Sequence, residues 1–426
     1  MASKQDFSVV IDIGTSKMIA LAGKLTELGK MEIKGAAEIP SKGIKRGVVS
    51  NIEEAGNTIS MLLEKLEEQL EDSVELVHVA MAGSKMLTLN YKCSTLTSGE
   101  GFVTERDVQT LLEEAKGVAL KQDYKVEKVI PTSYLIDDDN EVEKPVGSTG
   151  QKIEANFKLV VVPNEYRNNI QLVLEKAGVE LGEIIHSSIA LSESVVSTEE
   201  KEVGVIVADF GAGTTNLAVY QDNVLKHTAV IPFGGQVITN DIKEGCSIFL
   251  KKAELLKVKY GQAMGDFADE QKVVTIAGEN GWEPRDISFK SLAYIIQARL
   301  EEIIECMNDQ IHRSGIEDGV GSGVVLTGGT SQLDNIISLV KFKTGLDARI
   351  AHPVILPVTR KEELKKDKYL TALGAMKLVL SSDKENVNTQ GRSNKRKERR
   401  FAPLIKDVVQ GALNLFDTDH SDIELN

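Results

Sequence analysis

Apolar residues along the chain form short continuous runs that alternate with amphipathic stretches. The runs VVIDI at residues 9–13 and VGVIVADF at residues 203–210 are typical of buried strands. Between such runs, apolar residues recur at helical spacing; one stretch begins at Asn51, a predicted N-cap with Glu54 at the capping-box distance. Its apolar stripe is Ile52, Ile59, Leu62, Leu63 and Leu66. This alternation predicts an α/β architecture with parallel strands.

Two of the predicted strands run into the same chemical pattern. Residues 9–25 and 205–235 each continue from a strand through an aspartate, Asp12 or Asp209, into glycines and hydroxyl residues and then a second strand. This order brings a metal-seeking oxygen and backbone N–H groups to one point, which suits a Mg²⁺-bound phosphate chain. One copy alone is equally compatible with an ordinary β-hairpin turn. Two copies predict two similar domains that face each other across a nucleotide.

A third junction and one helix supply candidates for the rest of a nucleotide. The strand VVL at residues 324–326 leads into Gly328 and Gly329, and Ser331 is the predicted N-cap of the helix that follows. Bare backbone there would let a base or ribose lie close. Glu254 and Lys257 share one face of a predicted helix, and they fit either a ribose and base contact or an ordinary surface salt pair.

Residues 85–160 have a different pattern, with short strands around the helical stretch RDVQTLLEEAKGVAL and a polar loop. The loop carries the acidic run Asp137, Asp138 and Asp139. Such a run could bind a metal, but turn residues surround it, and a solvent-facing turn is the preferred interpretation.

Composition narrows the classes of protein. A chain of 426 residues predicts at least two domains. No apolar run is long enough to span a bilayer, and the N-terminus lacks the features of a signal peptide, so a cytoplasmic protein is expected. A formal charge of −14 argues against generic nucleic-acid binding. Cys93, Cys246 and Cys306 lack metal-ligand spacing and are interpreted as reduced, small apolar residues.

The composition changes at residue 381. Residues 381–400 are polar, end in a basic cluster and are predicted to be a disordered linker. Residues 401–416 follow with an amphipathic helical pattern. Its apolar side is Phe401, Leu404, Ile405, Val408, Ala412, Leu415 and Phe416. Such a helix could pack on the protein's own core, but the basic tether before it favours a membrane surface or a partner groove. Residues 417–426 form an acidic tail without an assigned role.

The three loops, in this order, resemble those of the superfamily of actin, chaperone ATPases and sugar kinases. Within it, the chain resembles the FtsA family of bacterial cell-division proteins, because residues 85–160 carry the patterns IPTSYLIDDD and NEVEKPVGSTG. The resemblance covers residues 6 to about 380 and the C-terminal helix. It implies an actin-like two-lobed ATPase fold with a small inserted domain in the first lobe, a disordered linker and a C-terminal amphipathic helix.

The resemblance also implies a domain plan. The first lobe comprises residues 1–84 and 161–200, with residues 365–380 packing back on it, and residues 85–160 are the inserted domain. The second lobe comprises residues 201–240 and 301–364, with residues 241–300 as its subdomain.

The resemblance assigns roles to the candidate residues. Asp12 and Asp209 are expected near Mg²⁺, through water. The remaining contacts would be to ATP. The β- and γ-phosphates would be held on one side by Gly14, Thr15, Ser16 and Lys17, and on the opposite side by Gly211, Gly213, Thr214, Thr215 and Asn216. The adenosine would lie against Gly328, Gly329 and Thr330, and the ribose would contact Glu254 and Lys257.

No catalytic residue is assigned. At the crossing between the lobes, the related ATPases usually carry a Gln or Glu that orients water. Here the crossing reads IIHSSIALSESVV, with Ser187 and Ser188 at about that place and Glu193 further on. A serine hydroxyl is a poor base, so ATP binding is expected, with hydrolysis slow or dependent on assembly.

The implied function is an ATP-binding filament at the division site, on the cytoplasmic face of the cell membrane. It would anchor the FtsZ ring by binding the C-terminal peptide of FtsZ at residues 241–300, where Arg285, Lys290 and Arg299 are candidate contacts, and it would meet later division proteins. Self-association matters because many weakly binding helices in one filament hold an anionic membrane firmly. The alternatives are a small-molecule kinase and an actin-like anchor for pilus assembly or cell shape.

Overall fold

The computed structural model describes residues 6–99, 101–120, 123–277, 283–316, 319–355, 357–358, 364 and 366–383. The chain divides into two compact units, Met1–Lys377 and Leu378–Asn426. Of the second unit, residues 378–383 are described, and they are helical. The predicted membrane helix at 401–416 and the acidic tail at 417–426 lie outside the described residues. The disordered linker is predicted from residue 381, but residues 381–383 continue the helix, and residues 384–400 lie outside the described residues.

Strands and helices alternate through the first unit. Its strands are β1 (Ser8–Ile13), β2 (Lys17–Leu25), β3 (Met31–Pro40), β4 (Ile44–Lys45), β5 (Val48–Val49), β6 (Leu76–Met81), β7 (Leu87–Leu96), β8 (Tyr124–Ile136), β9 (Asn140–Val142), β10 (Lys152–Pro163), β11 (Glu180–His186), β12 (Val205–Phe210), β13 (Thr215–Gln221), β14 (Val224–Ile231), β15 (Val273–Ile276), β16 (Arg285–Ser288), β17 (Val324–Thr327) and β18 (Ala348–Ile350). Its helices are α1 (Ile52–Leu70), α2 (Glu105–Lys116), α3 (Asn164–Lys176), α4 (Ser187–Val195), α5 (Thr198–Val203), α6 (Gly235–Cys246), α7 (Leu250–Tyr260), α8 (Phe289–Ser314) and α9 (Ile336–Thr344). Residues 370–377 are also helical.

Two five-stranded sheets share one topology. The first has the order β3-β2-β1-β6-β11, and the second has the order β14-β13-β12-β17-β18. In each, three consecutive strands form an antiparallel meander, and two parallel strands extend the sheet beyond the first strand of that meander. We call the first sheet with α1 and α3 the first lobe, and the second sheet with α6, α8 and α9 the second lobe. The repeated hairpins found in the sequence are thus the first two strands of two matching sheets.

Each lobe has its own apolar core. In the first, the buried stripe of α1, which includes Ile59, Leu62 and Leu66, packs with Val9 and Ile11 of β1. The N-cap of α1 is Asn51, whose side chain accepts from the Glu54 N–H, as predicted. In the second lobe, a larger core combines the inner faces of β12, β13 and β17 with the helices. Burial of one apolar face per element therefore fixes the helices on the sheets.

A separate domain is inserted between β6 and α3. Its four strands form an antiparallel sheet in the order β7-β10-β8-β9, and α2 covers one face. A capping box between Thr104 and Asp107 begins α2. Asp137 and Asp138 have positive φ in the turn that joins β8 to β9, and Asp137 accepts from two backbone N–H groups. The acidic run therefore shapes a hairpin turn, in agreement with the preferred interpretation.

One local prediction is wrong. Ser331 is not the N-cap of a helix, because residues Gly329–Gln332 form a 3₁₀ turn and α9 begins only at Ile336. The Ser331 hydroxyl instead donates to the carbonyl of Gly328 at 2.8 Å. All three cysteines are free thiols, as predicted. Among the described residues, no helix combines the length and apolar character needed to cross a bilayer.

Candidate nucleotide site

The turns of the two repeated hairpins lie against each other. In the first turn, the Gly14 N–H donates to the Lys17 carbonyl at 3.1 Å, and Thr15 Oγ1 accepts from the Gly47 N–H at 3.0 Å. Across from it, a methyl group added to Gly213 would lie 2.5 Å from Thr15 Oγ1. The backbone of the second turn is therefore in contact with the Thr15 side chain. The two turns meet at one point, as the sequence predicted.

Both strand-ending aspartates belong to this meeting point. Burial and, secondly, the nearby Asp209 raise the pKa of Asp12 to about 7, with Lys17 opposing both effects. Burial also raises the pKa of Asp209, while Asn216 and Lys17 lower it. The Asn216 side chain donates to Asp209 Oδ2 at 3.1 Å. Lys17 and Asn216 offset only part of the cost of placing two carboxylates close together in a buried site. This point is therefore favourable for a cation.

Two predicted phosphate contacts in the second turn have side chains that bond within the protein. The Thr215 hydroxyl is buried and donates to the Phe233 carbonyl at 2.9 Å. Asn216 is buried beside Asp209, and its Oδ1 atom has no hydrogen-bond partner. The Gly211 N–H is likewise used, by the Thr214 carbonyl at 3.0 Å. The Thr215 hydroxyl and the Asn216 amide group therefore donate within the protein, while Asn216 Oδ1 is left without a partner.

The third junction lies directly behind the second turn. Gly328 has φ +89°, and a methyl group there would lie 2.4 Å from the Phe210 carbonyl oxygen and 2.6 Å from Asp209 Oδ1. No residue other than glycine fits that position without displacing the carboxylate. A methyl group on Gly329, in contrast, would meet no heavy atom within 4 Å. Gly328 is therefore tightly packed against the second turn, whereas the space beside Gly329 is open. A base or ribose that binds against the backbone would require such an open surface.

Glu254 and Lys257 are not an ordinary surface pair. The Lys257 ammonium is buried and donates to the Gly235 carbonyl at 2.9 Å, to Thr239 Oγ1 at 2.7 Å and to Glu254 Oε2 at 2.8 Å. Its three protons are thus all used. Lys257 therefore ties α7 to the start of α6, and the side chain of Glu254 is half exposed.

At the crossing between the lobes, the serines are engaged in structure. Ser187 and Ser188 are buried at the start of α4, and the Nδ1 atom of His186 interacts with the Ser188 N–H at 3.3 Å and the Ser188 hydroxyl at 2.8 Å. Burial lowers the pKa of His186 to about 4, so the ring is neutral. Glu193 pairs with Lys201 at 2.6 Å and with Lys377 at 2.7 Å. Ser188 and Glu193 therefore both have partners within the protein.

Sequence reasoning missed three residues that support the site. Gly47 donates its N–H to Thr15, and Gly235 and Thr239 accept from Lys257. A signal existed for Gly47, because Arg46 and Gly47 form the two-residue loop between β4 and β5, and both have positive φ. No local pattern marks Gly235 or Thr239, since their shared partner lies about twenty residues away.

The three candidate contacts for a partner peptide do not form one cluster. Arg285 lines a cavity of about 420 Å³ at the end of α6, together with Lys243, Ile248, Phe249 and others. Lys290 pairs with Glu270 at 3.0 Å, and Arg299 pairs with Asp241 at 2.6 Å. Neither of these two lines the cavity.

Two lobes of one topology, with facing hairpin turns and a domain inserted in the first lobe, define an actin-like α/β protein. The family description "Cell division protein FtsA" matches residues 206–374, and "SHS2 domain inserted in FTSA" matches residues 84–161. The chain is 30% identical over 417 residues to the cell division protein FtsA of Pseudomonas aeruginosa, covering 96% of this chain and 100% of that protein. The chain belongs to the FtsA family of cell-division proteins.

A second FtsA sequence and two structures of similar fold are also found. FtsA of Bacillus subtilis strain 168 is 28% identical over 393 residues, covering 92% of this chain and 86% of that protein. In fold, the chain is similar to the PilM–PilN type IV pilus biogenesis complex, with a TM-score of 0.61 at 15% identity over 88% of this chain and 98% of that one. It is also similar to MreB5 of Spiroplasma citri bound to ADP, with a TM-score of 0.52 at 14% identity over 90% and 99% of the two chains.

Proposed function

We propose that this cell-division protein binds Mg²⁺–ATP between its two hairpin turns, polymerises on the membrane and anchors the FtsZ ring to it. The observation that carries the proposal is the contact between Thr15 and Gly213, which places one turn of each lobe at a single point beside Asp12 and Asp209. A phosphate chain lying there would bridge the lobes.

The residues at this point fit a magnesium ion. Asp12 and Asp209 supply hard oxygen ligands, and the unpartnered Oδ1 of the buried Asn216 is a further acceptor that a metal-bound water could satisfy. Within the described part of the chain, no group of three or more His, Cys, Asp or Glu residues could hold a metal. Magnesium usually keeps several waters and takes phosphate oxygens, so two carboxylates are sufficient.

The rest of the nucleotide has room on the second lobe. The structure of MreB5 of Spiroplasma citri contains ADP, and we extend nucleotide binding to this chain as part of the proposal. Open space above Gly329 suits the adenosine, and the accessible carboxylate of Glu254 suits a ribose hydroxyl. Lys257 would then act through Glu254 rather than touch the ligand.

Membrane attachment is proposed for residues 401–416. The seven side chains on the apolar side of the predicted helix would contribute roughly 1.5–3 kcal/mol for each one fully buried, and the basic cluster before them about 1 kcal/mol per charge near anionic lipid. Ordering the helix offsets much of this gain. One copy would bind reversibly, and a filament would bind firmly.

The FtsZ peptide is proposed to bind at residues 241–300. The cavity beside Arg285 has apolar walls from Ile248, Phe249 and Ile276. Three basic side chains line it against two acidic ones, Glu244 and Glu283, a combination that suits a short acidic peptide with apolar residues. Lys290 and Arg299 would contribute only by exchanging their present partners Glu270 and Asp241.

The proposal is tested first by co-sedimentation with anionic liposomes, comparing the full chain with one truncated after Ser382. The full chain should pellet with lipid, more steeply with protein concentration when Mg²⁺–ATP is present, and the truncated chain should stay in the supernatant. Equal behaviour of the two would remove the membrane part of the proposal. Equilibrium binding of ATP to the truncated chain tests the nucleotide part separately.

A further inference from the structure

A buried lysine connects the inserted domain to the second lobe. Lys158 lies in β10, and its ammonium donates to Asn90 Oδ1 at 2.5 Å and to the Lys226 carbonyl oxygen at 2.6 Å. Asn90 belongs to the inserted domain, but Lys226 lies in β14, an edge strand of the second lobe. Both acceptors are uncharged.

Two neighbouring strands of the inserted domain contact the same region. Thr88 Oγ1 in β7 lies 3.3 Å from both the backbone nitrogen and the hydroxyl of Thr228, which is also in β14. Ile130 in β8 packs on an apolar cluster that includes Leu225. We call the contacts made by Lys158, Thr88 and Ile130 the inter-lobe contact.

The inserted domain is attached more strongly to the first lobe. Strand β10 runs directly into α3, so the chain itself joins the two. Arg167 of α3 donates to both carboxylate oxygens of Glu127 at 2.6 Å, and burial of that pair leaves little water to weaken it. Any rotation of the first lobe should therefore carry the inserted domain with it.

We infer that the inter-lobe contact is a latch, which holds the inserted domain on the second lobe in one state of the cleft and releases it in another. The inference rests on the proposed nucleotide binding. A ligand that changes the separation of Thr15 and Gly213 must rotate one lobe against the other, and the inserted domain then shifts along β14. Hydrogen bonds are lost within about an ångström of such movement.

The chemistry of Lys158 makes the latch all-or-none. Once the Lys226 carbonyl moves away, Lys158 keeps only Asn90 as an acceptor, and a buried ammonium with one of its two acceptors lost is strongly unfavourable. Water must then enter, and the contact with Thr228 would open at the same time. The nucleotide state of the cleft thereby controls whether one face of the inserted domain is covered.

A disulfide across the contact tests the latch. Thr88 and Thr228 hydroxyl oxygens lie 3.3 Å apart, so sulfurs in their place need move only about 1 Å to reach the S–S length of about 2.0 Å. The full chain would carry Thr88→Cys and Thr228→Cys with Cys93→Ala, Cys246→Ala and Cys306→Ala. Release of a fluorescent ATP analogue is measured before and after reduction, and each single-cysteine chain is the control.

The oxidised chain should exchange nucleotide at least tenfold more slowly than the reduced chain, and reduction should restore the parent rate. Equal rates in the two forms, or failure of the disulfide to form, would overturn the latch while nucleotide binding stands. If the reduced chain and the parent both fail to bind nucleotide, the proposed site is wrong and the latch falls with it.

A second variant tests the lysine itself. Lys158→Met keeps the length of the side chain but removes the ammonium, and it should release nucleotide at least threefold faster and increase hydrogen exchange in β7 and β14. Lys152→Met is the matched control, because Lys152 lies in the same strand and pairs with Asp138, within the inserted domain. Equal changes in both variants would contradict the role assigned to Lys158.

Discussion

The two hairpins have one backbone design but different chemistry. In the first, Asp12 is paired across the hairpin with Ile19, which has no hydrogen-bond donor in its side chain. In the second, Asp209 is paired with Asn216, whose amide donates to the carboxylate. Burial and the charge of Asp209 raise the pKa of Asp12 to about 7 with no side-chain donor to oppose them, whereas burial raises the pKa of Asp209 against the Asn216 donor, which favours the charged form.

The threonine side chains of the two turns also differ in what they contact. Thr15 contacts the backbone of the opposite turn, while the buried Thr215 bonds to a carbonyl of its own lobe. The first turn thus presents side chains to the cleft, and the second presents backbone that its side chains hold in place. If a phosphate chain binds here as proposed, the first turn would contact it through side chains and the second turn through backbone.

Separating the turns should produce the largest effect. Gly213→Ala places a methyl group against the Thr15 side chain, so the turns can no longer meet, and the affinity for Mg²⁺–ATP should fall on the order of 100-fold, about 3 kcal/mol. Isothermal titration measures it. Adding Thr15→Ala removes the two nearest atoms that the methyl group meets, Oγ1 and Cγ2, but leaves Cβ at 2.9 Å, so it should recover part of the loss.

Gly117→Ala is the control for the methyl group itself, because a methyl there makes only ordinary contacts, at 3.4 Å or more, in the inserted domain. Its ATP affinity should equal that of the parent. An equal loss in Gly117→Ala and Gly213→Ala, or no recovery by Thr15→Ala, would show that the contact between the turns does not determine binding.

The sequence was sufficient to predict the meeting of the turns, because a strand, an aspartate and glycines are a local pattern and its repetition implies a matching lobe. It could not reveal the partners of Lys257. The spacing of three residues identifies Glu254, but Gly235 and Thr239 reach Lys257 only through the packing of α6 on α7. Ser331 was misassigned for a related reason: its hydroxyl has a local acceptor in Gly328, so the chain forms a 3₁₀ turn first.

Removing the charge of Asp12 should give the next largest effect, with opposite signs for stability and binding. The carboxyl titrates near 3.8 when unfolded and near 7 when folded, so the folded chain holds the proton more tightly. Ionisation therefore destabilises the ligand-free fold progressively as pH rises from about 4 to 7, by a few kcal/mol in total. Asp12→Asn should raise the thermal midpoint at pH 8, raise it less at pH 5, and weaken Mg²⁺–ATP binding at both.

Asp209→Asn is the comparison for this prediction. Asn216 already favours the charged form of Asp209. Removing that charge by Asp209→Asn should therefore raise the thermal midpoint at pH 8 by less than Asp12→Asn does. A larger gain from Asp209→Asn would reverse the asymmetry between the hairpins.

Removing one hydroxyl from each turn should give the smallest effects. It should also distinguish a turn that binds through its side chains from one that binds through its backbone. Thr15→Val leaves the Gly47 N–H without its acceptor, and Thr215→Val leaves the Phe233 carbonyl without its donor, so each should cost about 1 kcal/mol of stability. Only Thr15→Val should also weaken Mg²⁺–ATP binding, by a few-fold, because only Thr15 contacts the opposite turn. Thermal midpoints and ATP titrations of both variants measure the difference. If Thr215→Val weakens binding as much as Thr15→Val, the second turn also binds through its side chains, and the proposed contrast between side-chain contacts in one turn and backbone contacts in the other is wrong.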